Sequence, residues 1–226
     1  MGVLASFDMQ PHLAQVLNTL AHEIRTPLAV SQGYLKLFLD GRLKNEEDTR
    51  RAMEQTREAI GALATLCVDM GKVSALAESS AAGIPQRVTS SEFVTALREQ
   101  GELANAAWSA GAGADSGAIT SSNPRDLAHA VAIVAKAAFD EARDAQHTVQ
   151  TATDTELVIL AGTTTSIDAL GAGLSGTGAK AVDFGKGGKG LKLIWAAFVL
   201  DKHGVQTWTH TDHRASVGFR IPLGHL

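Results

Sequence analysis

With a single cysteine, Cys67, among 226 residues, the chain can form no internal disulfide, and a reducing cytoplasm suits it. Cys67 falls on an apolar helical stripe and is expected to be a small buried thiol. A basic excess is also missing. Lys and Arg number 20 against 24 Asp and Glu, for a net charge of −4, and residues 1–80 carry 8 against 10, the remainder 12 against 14. Neither part offers a basic face to phosphate backbones, so nucleic acid is not expected as a partner. No window approaches 18 uninterrupted apolar residues, and "MGVLASFDMQPHLAQ" lacks the basic start and apolar run of a signal peptide. No membrane span is expected, and the location expected is cytoplasmic. His203, His210, His213 and His225 lack the spacing and the carboxylate or cysteine company of a metal site, so no metal is assigned. His203, just before Gly204, is expected to cap carbonyls at a helix end.

What remains is a chain that is 45% hydrophobic, enough to build a core in one large or two small domains. Leu13, Val16, Leu17, Leu20, Ile24, Leu28, Leu35 and Phe38 recur at helical spacing and trace one face of a long helix. After the charged "DGRLKNEED", Met53, Ile60, Leu63, Leu66, Cys67, Met70, Val73 and Leu76 resume the period. Residues 1–78 therefore read as a helical hairpin. Two arms of about 45 Å cannot bury a full stripe against each other alone, so a homodimer forming a four-helix bundle is expected.

Residues 79–87, beginning "SSAAGIPQ", read as a linker. Residues 88–226 read as a second domain: a short extended segment, a helix capped by Ser90 or Ser91 with Phe93, Val94 and Leu97 inward, and a helix over "DLAHAVAIVAKAAFDEARDA". Two strands follow over "HTVQTATDTELVILAG", then the glycine-rich "LGAGLSGTGAKAVDFGKGGKG". The chain closes with the helix "LKLIWAAFVLDKHG", stopped by Gly204, and a hairpin of "VQTWTHTD" with "SVGFRIPL". Trp195, Phe198 and Trp208 are expected to face the core. The fold class is α+β: the dimeric helical hairpin, then an α/β sandwich.

Proline is scarce, five residues in all, yet Pro27 lies inside the first long helix, in "LAHEIRTPL", residues 20–28. It cannot donate to the Glu23 carbonyl, so a bend beside His22 is expected. A neutral imidazole is a nucleophile near pH 7, and a carboxylate one residue away can take or share its proton. Thr26 follows His22 by four residues and lies one turn along the same face. Arg25 can pair with a phosphoryl oxygen, a partner's acid or a surface carboxylate.

Over nearly its whole length the chain resembles the cytoplasmic core of bacterial sensor histidine kinases, a histidine-phosphotransfer hairpin followed by an ATP-binding domain. "HEIRTPL", residues 22–28, looks like the family's H-box. By that resemblance His22 is the phosphoacceptor, Glu23 the base and orienting acid, and Thr26 the residue that positions water when phosphate is removed from a partner. Arg25 and Pro27 fall on the partner-binding face. The second domain departs from the pattern. Lys136 stands where the family has an asparagine on magnesium, and Ala132 replaces an earlier asparagine. "LAGTTTSI" offers Gly162, Thr163, Thr164 and Ser166 where an aspartate should read adenine. "GKGGKGLKL" keeps Gly185, Gly187, Gly188 and Gly190 as a possible residual phosphate cradle, with Lys192 in place of a glycine.

The function this implies is histidine phosphotransfer in a two-component phosphorelay, His22 carrying phosphate to or from receiver aspartates of response regulators. No cofactor is required by that reading; Mg2+ is expected from the partner receiver, and ATP use is doubtful. An upstream histidine kinase is a further partner. The alternatives are an active kinase core with a divergent ATP site, and a pseudokinase scaffold that docks receivers. Only about 12 residues precede the first apolar stripe, so a signal is expected to arrive through a partner.

Overall fold

A computed structural model describes residues 10–78, 86–109, 118–121, 123–141, 148–152, 156–163, 179–181, 190–210 and 216–222. The hairpin is formed by α1 (Gln10–Leu39) and α2 (Glu46–Glu78). Between them Gly41 takes φ +62, and Asn45 accepts from the Asp48 backbone N–H at 2.8 Å, capping α2 ahead of three acidic residues in its first turn. The chain stays helical through Pro27.

The rest comprises β1 (Gln86–Thr89), α3 (Ser90–Arg98), β2 (Ala107–Ser109), β3 (Ala118–Ser121), α4 (Pro124–Glu141), β4 (Thr148–Ala152), β5 (Glu156–Gly162) and β6 (Ala179–Ala181). It ends with α5 (Gly190–Lys202), β7 (Gln206–His210) and β8 (Val217–Pro222). Six strands make one sheet in the order β2-β4-β5-β8-β7-β6, antiparallel except for β2 with β4, while β1 and β3 pair separately. The hairpin, the α+β class and both expected strand pairs are present. The very short strands β2, β3 and β6 were not anticipated from the sequence.

Period-two alternation sets the two sides of the sheet. Leu157, Ile159 and Ala161 of β5 and Val217, Phe219 and Ile221 of β8 join the core with α3, α4 and α5, while Val158 and Leu160 point to the other side. Trp208 packs there, half-buried, against Val158 and Leu160, so it does not face the helical core as expected. Its indole lies over its register partner Gly218, where an added Cβ would approach Trp208 Cε2 to 2.4 Å. Trp195 is in the core and Phe198 packs against it.

Three further details differ from the sequence reading. The N-cap of α3 is Thr89 rather than Ser90 or Ser91: its hydroxyl accepts from the Glu92 N–H, and the Glu92 carboxylate accepts from the Thr89 N–H. The Thr89 N–H and, after it, the Thr89 hydroxyl, both donating to the Glu92 carboxylate, hold its carboxyl below the ordinary range. Cys67 is exposed, contrary to expectation. The buried column of α2 is Ala52, Ala59, Leu66 and Val73, and Cys67 lies one residue, about 100° of helix turn, beyond it. The α1 stripe is not one buried face: Val16, Leu20 and Ile24 pack on the core, whereas Leu17, Leu28, Leu35 and Phe38 are exposed.

His203 closes α5 as expected. Its Nδ1–H donates to the Val199 carbonyl at 2.7 Å, and Nε2 accepts from the Ser121 hydroxyl at 2.8 Å, which fits the neutral ring. Burial is the main cause that pushes its pKa below 6.5, helped by Lys202 and opposed by the Val199 bond and Asp126. The unfolded chain therefore takes up a proton that the folded chain refuses. Stability is full above 6.5 and is lost as pH falls through the lowered folded value. His203→Gln should flatten the fall in Tm between about pH 7.5 and 5, the window around the ordinary histidine range. Parallel Tm curves for the two proteins would show that His203 is not the titrating group.

Candidate functional site

The central piece is α5. Leu191, Ile194, Trp195, Ala196, Ala197, Val199 and Leu200 are all buried, an all-round apolar helix that needs cover on every side. It packs against α4 on one side and against α2 and α1 on the other. Leu66 and Val73 of α2 belong to the same continuous core as Phe93, Leu127 and Phe219 of the second domain. The hairpin and the sheet domain thus share one hydrophobic core, and α1 is held with a defined face toward α5.

That packing divides the H-box residues. Val16, Leu20 and Ile24 turn to the core, which carries Glu23 to the N-terminus of α5 and leaves His22, Arg25 and Thr26 exposed. His22 and Arg25 have no hydrogen-bond or ion-pair partner among the described residues. Pro27 is half-buried. The arrangement presents an imidazole nucleophile with a hydroxyl one turn away and a free guanidinium beside it, on a helix face open to a docking protein.

Glu23 has a different environment. Its Oε2 accepts from the Leu191 backbone N–H at 3.4 Å, across 168 residues of sequence. Gly190, at φ +88, lies under the other oxygen, and a Cβ there would come within 2.7 Å of Glu23 Oε1. The opening amides of a helix lack partners within it, and its positive end favours an anion by about 0.3–1 kcal/mol at an exposed site. Sequence reading missed this contact. The only signal in the chain was a glycine immediately ahead of an unusually apolar helix.

The residues that the family resemblance sets at nucleotide positions are also placed. Ala132 is fully buried on α4 and offers no ligand atom. Lys136 pairs with Asp140 one turn on. Gly162 is buried at the end of β5, and Thr163 follows it half-buried. Lys192 is exposed and lines, with Asp69, Lys72, His129 and Trp195, a cleft of about 240 Å³ between the hairpin and the second domain. His129 was not singled out by sequence. Its Nδ1 is 3.1 Å from Gln100 Oε1, and its ring meets Trp195 at 5.3 Å between centroids. Gly185, Gly187 and Gly188, like Thr164, Ser166, His213 and His225, lie outside the described residues. No group of His, Cys, Asp and Glu among the described residues could hold a metal ion. No described helix is long and apolar enough to cross a membrane.

Residues 12–74 match the family profile described as "His Kinase A (phospho-acceptor) domain". None of the curated proteins matches the sequence. Among solved structures, the chain is similar to the Acinetobacter baumannii histidine kinase AdeS, with a TM-score of 0.56, 14% identity, and coverage of 90% of this chain and 98% of that one. At that identity the likeness speaks for the fold, while the profile match speaks for the hairpin. Residues 12–74 thus match a His Kinase A phosphoacceptor domain, and the chain as a whole has the fold of a sensor histidine kinase core.

Proposed function

We propose that this chain is a histidine phosphotransferase: His22 accepts a phosphoryl group from a receiver aspartate of one response regulator and returns it to another. The observation that carries this reading is the split at the H-box, with His22 and Thr26 open to a partner while the second domain covers the opposite side of α1. In the transfer a ring nitrogen of His22 attacks phosphorus. The N–P bond forms as the O–P bond breaks, the aspartate leaves as carboxylate, and the proton on the ring is shared with or taken by Glu23. Thr26 orients water when phosphate is removed from a receiver. Arg25 and Pro27 meet the docked partner.

The residues at the nucleotide positions do not suit magnesium nucleotide. Ala132 has no oxygen to offer, the Lys136 ammonium opposes a divalent cation, and Glu23 stands at the helix end where a phosphate would be cradled. The transfer needs no ATP, since the receiver brings its own aspartate and Mg2+. The purified protein should therefore not label itself with ATP and Mg2+. Mixed with receivers charged by acetyl phosphate, it should gain an acid-labile, base-stable phosphate that His22→Gln abolishes. Robust self-labelling would make it a kinase, and absence of label from every receiver in a broad panel would make it a scaffold.

The protein acts as a homodimer through the hairpin. Leu35, Phe38, Met53 and Ile60 are each at least half exposed, and they line an apolar groove of about 410 Å³ between α1 and α2. Met53, Ile60 and Cys67 follow one another at seven-residue spacing, a continuous column that a second hairpin would cover. Light scattering at micromolar concentration should give a dimer mass, and Phe38→Asp with Ile60→Asp should give a monomer. A monomeric parent protein would remove the four-helix bundle.

Thr26→Ala should slow dephosphorylation of a charged receiver by about tenfold or more while leaving transfer to His22 within about twofold, because a hydroxyl that orients water acts in only one of the two reactions. Equal losses in both, timed on the same receiver, would remove this division of roles.

A further inference from the structure

We infer that the N-terminus of α5 is a positioning element for Glu23: Gly190 and the Leu191 amide fix the carboxylate of the residue that follows His22 in sequence, so the second domain contributes to phosphoryl transfer without handling nucleotide. The inference rests on the phosphotransfer reading of His22 and Glu23.

Three observations carry it. The first turn of α5 contains no acidic residue of its own. The anion comes from α1, with Glu23 Oε2 on the Leu191 N–H at 3.4 Å. Gly190 makes the approach possible twice over. Its φ of +88 is a conformation that side chains resist, and a Cβ would stand 2.7 Å from Glu23 Oε1. Any larger residue at 190 must push the carboxylate away or shift the start of α5.

Glu23 is not an incidental surface acid. It is the residue next to the exposed imidazole, and the shared core of α1, α2 and α5 fixes where its side chain starts. A flexible glutamate on an open helix samples several rotamers. One whose oxygen is bonded to a helix end is held near a single position, and a proton acceptor held in place contributes more to transfer than one that must be found. The hydrogen bond uses Oε2, and the carboxylate retains lone pairs for the imidazole proton. Lys192, exposed in the same turn, adds positive charge to that end of the helix.

The experiment uses the full chain and a receiver charged by acetyl phosphate. Gly190→Ala should lower the maximal transfer rate at saturating receiver by about tenfold, below the ~10² that a general base can contribute, and leave the half-saturating receiver concentration unchanged. In a Glu23→Ala background, Gly190→Ala should cause little further loss. A thermal cycle on the same four proteins reads the contact without phosphate, and the Tm cost of Gly190→Ala should be smaller when Glu23 is already alanine. Exchange of the Leu191 amide gives a measurement with Gly190 intact: it should be slow in the parent protein and faster in Glu23→Ala. Additive Tm losses together with an unchanged Leu191 exchange rate would overturn the inference even if His22 carries phosphate. So would a rate loss in Gly190→Ala that persists undiminished without Glu23. No label on His22 in the parent protein would overturn the phosphotransfer reading instead, and the thermal cycle and amide exchange would still decide whether α5 holds Glu23.

Discussion

The structure depends on the burial of α5. A helix with apolar residues around most of its circumference cannot lie on a sheet with one side in water, because each large side chain left exposed forfeits about 1.5–3 kcal/mol of transfer free energy. Here α4 covers one side and the hairpin covers the other, so Trp195, Val199 and Leu200 share a core with Leu66 and Val73. The second domain is therefore not a body tethered at the end of the hairpin. Its position follows from the composition of one helix, and the side of α1 that meets α5 follows in turn.

That constraint sets the character of the site. One face of α1 is committed to α5 through Val16, Leu20 and Ile24, and the next residues around the helix are divided between contact and solvent. Glu23 falls on the contact side, His22 and Thr26 on the open side. The exposed face thus presents the His22 imidazole, while the carboxylate of the next residue is engaged from behind by α5. Toward the hairpin's turn, Leu35, Phe38, Met53 and Ile60 are exposed among the described residues, an apolar surface separate from the α5 contact. One hairpin supports two different interfaces because its apolar residues outnumber what a single narrow stripe can hold.

Much of this was legible in the residues. Helical spacing gave α1, α2, α4 and α5, and alternation gave β4, β5, β7 and β8, because each is long enough for its period to repeat. The three-residue strands β2 and β6 show no alternation to read, and their pairing is decided by neighbours far along the chain. Cys67 was misplaced because a stripe of apolar residues does not say which of two adjacent columns faces the core. The spacing of Ala52, Ala59, Leu66 and Val73 by sevens shows it only once small alanines are counted as core. Thr89 was overlooked in favour of the serines that follow it, although Thr89 with Glu92 three residues on is the capping-box pattern. Trp208 faces the far side of the sheet because Gly218 opposite it leaves room there. Of the candidate site, "HEIRTPL" was legible as a motif, but the partner of Glu23 could not be read, since nothing local connects it to a backbone amide 168 residues away.

The same helix end links the two departures from the kinase pattern. A glycine ahead of a helix presents amide groups to an anion, and which anion arrives depends on what else the site offers. Where base and metal contacts hold a nucleotide, its phosphates compete well for those amides. Without an oxygen at Ala132, and with the Lys136 ammonium paired to Asp140, an incoming nucleotide would have little besides its phosphates to bind by, against a carboxylate already tethered in the same chain. A tethered group competes at a high effective concentration, set by the rigid core that joins α1 to α5. On the proposed reading, weaker nucleotide contacts and occupation of the helix end by Glu23 reinforce each other. On that reading, each further substitution away from nucleotide binding removes a competitor for the Leu191 amide that holds Glu23.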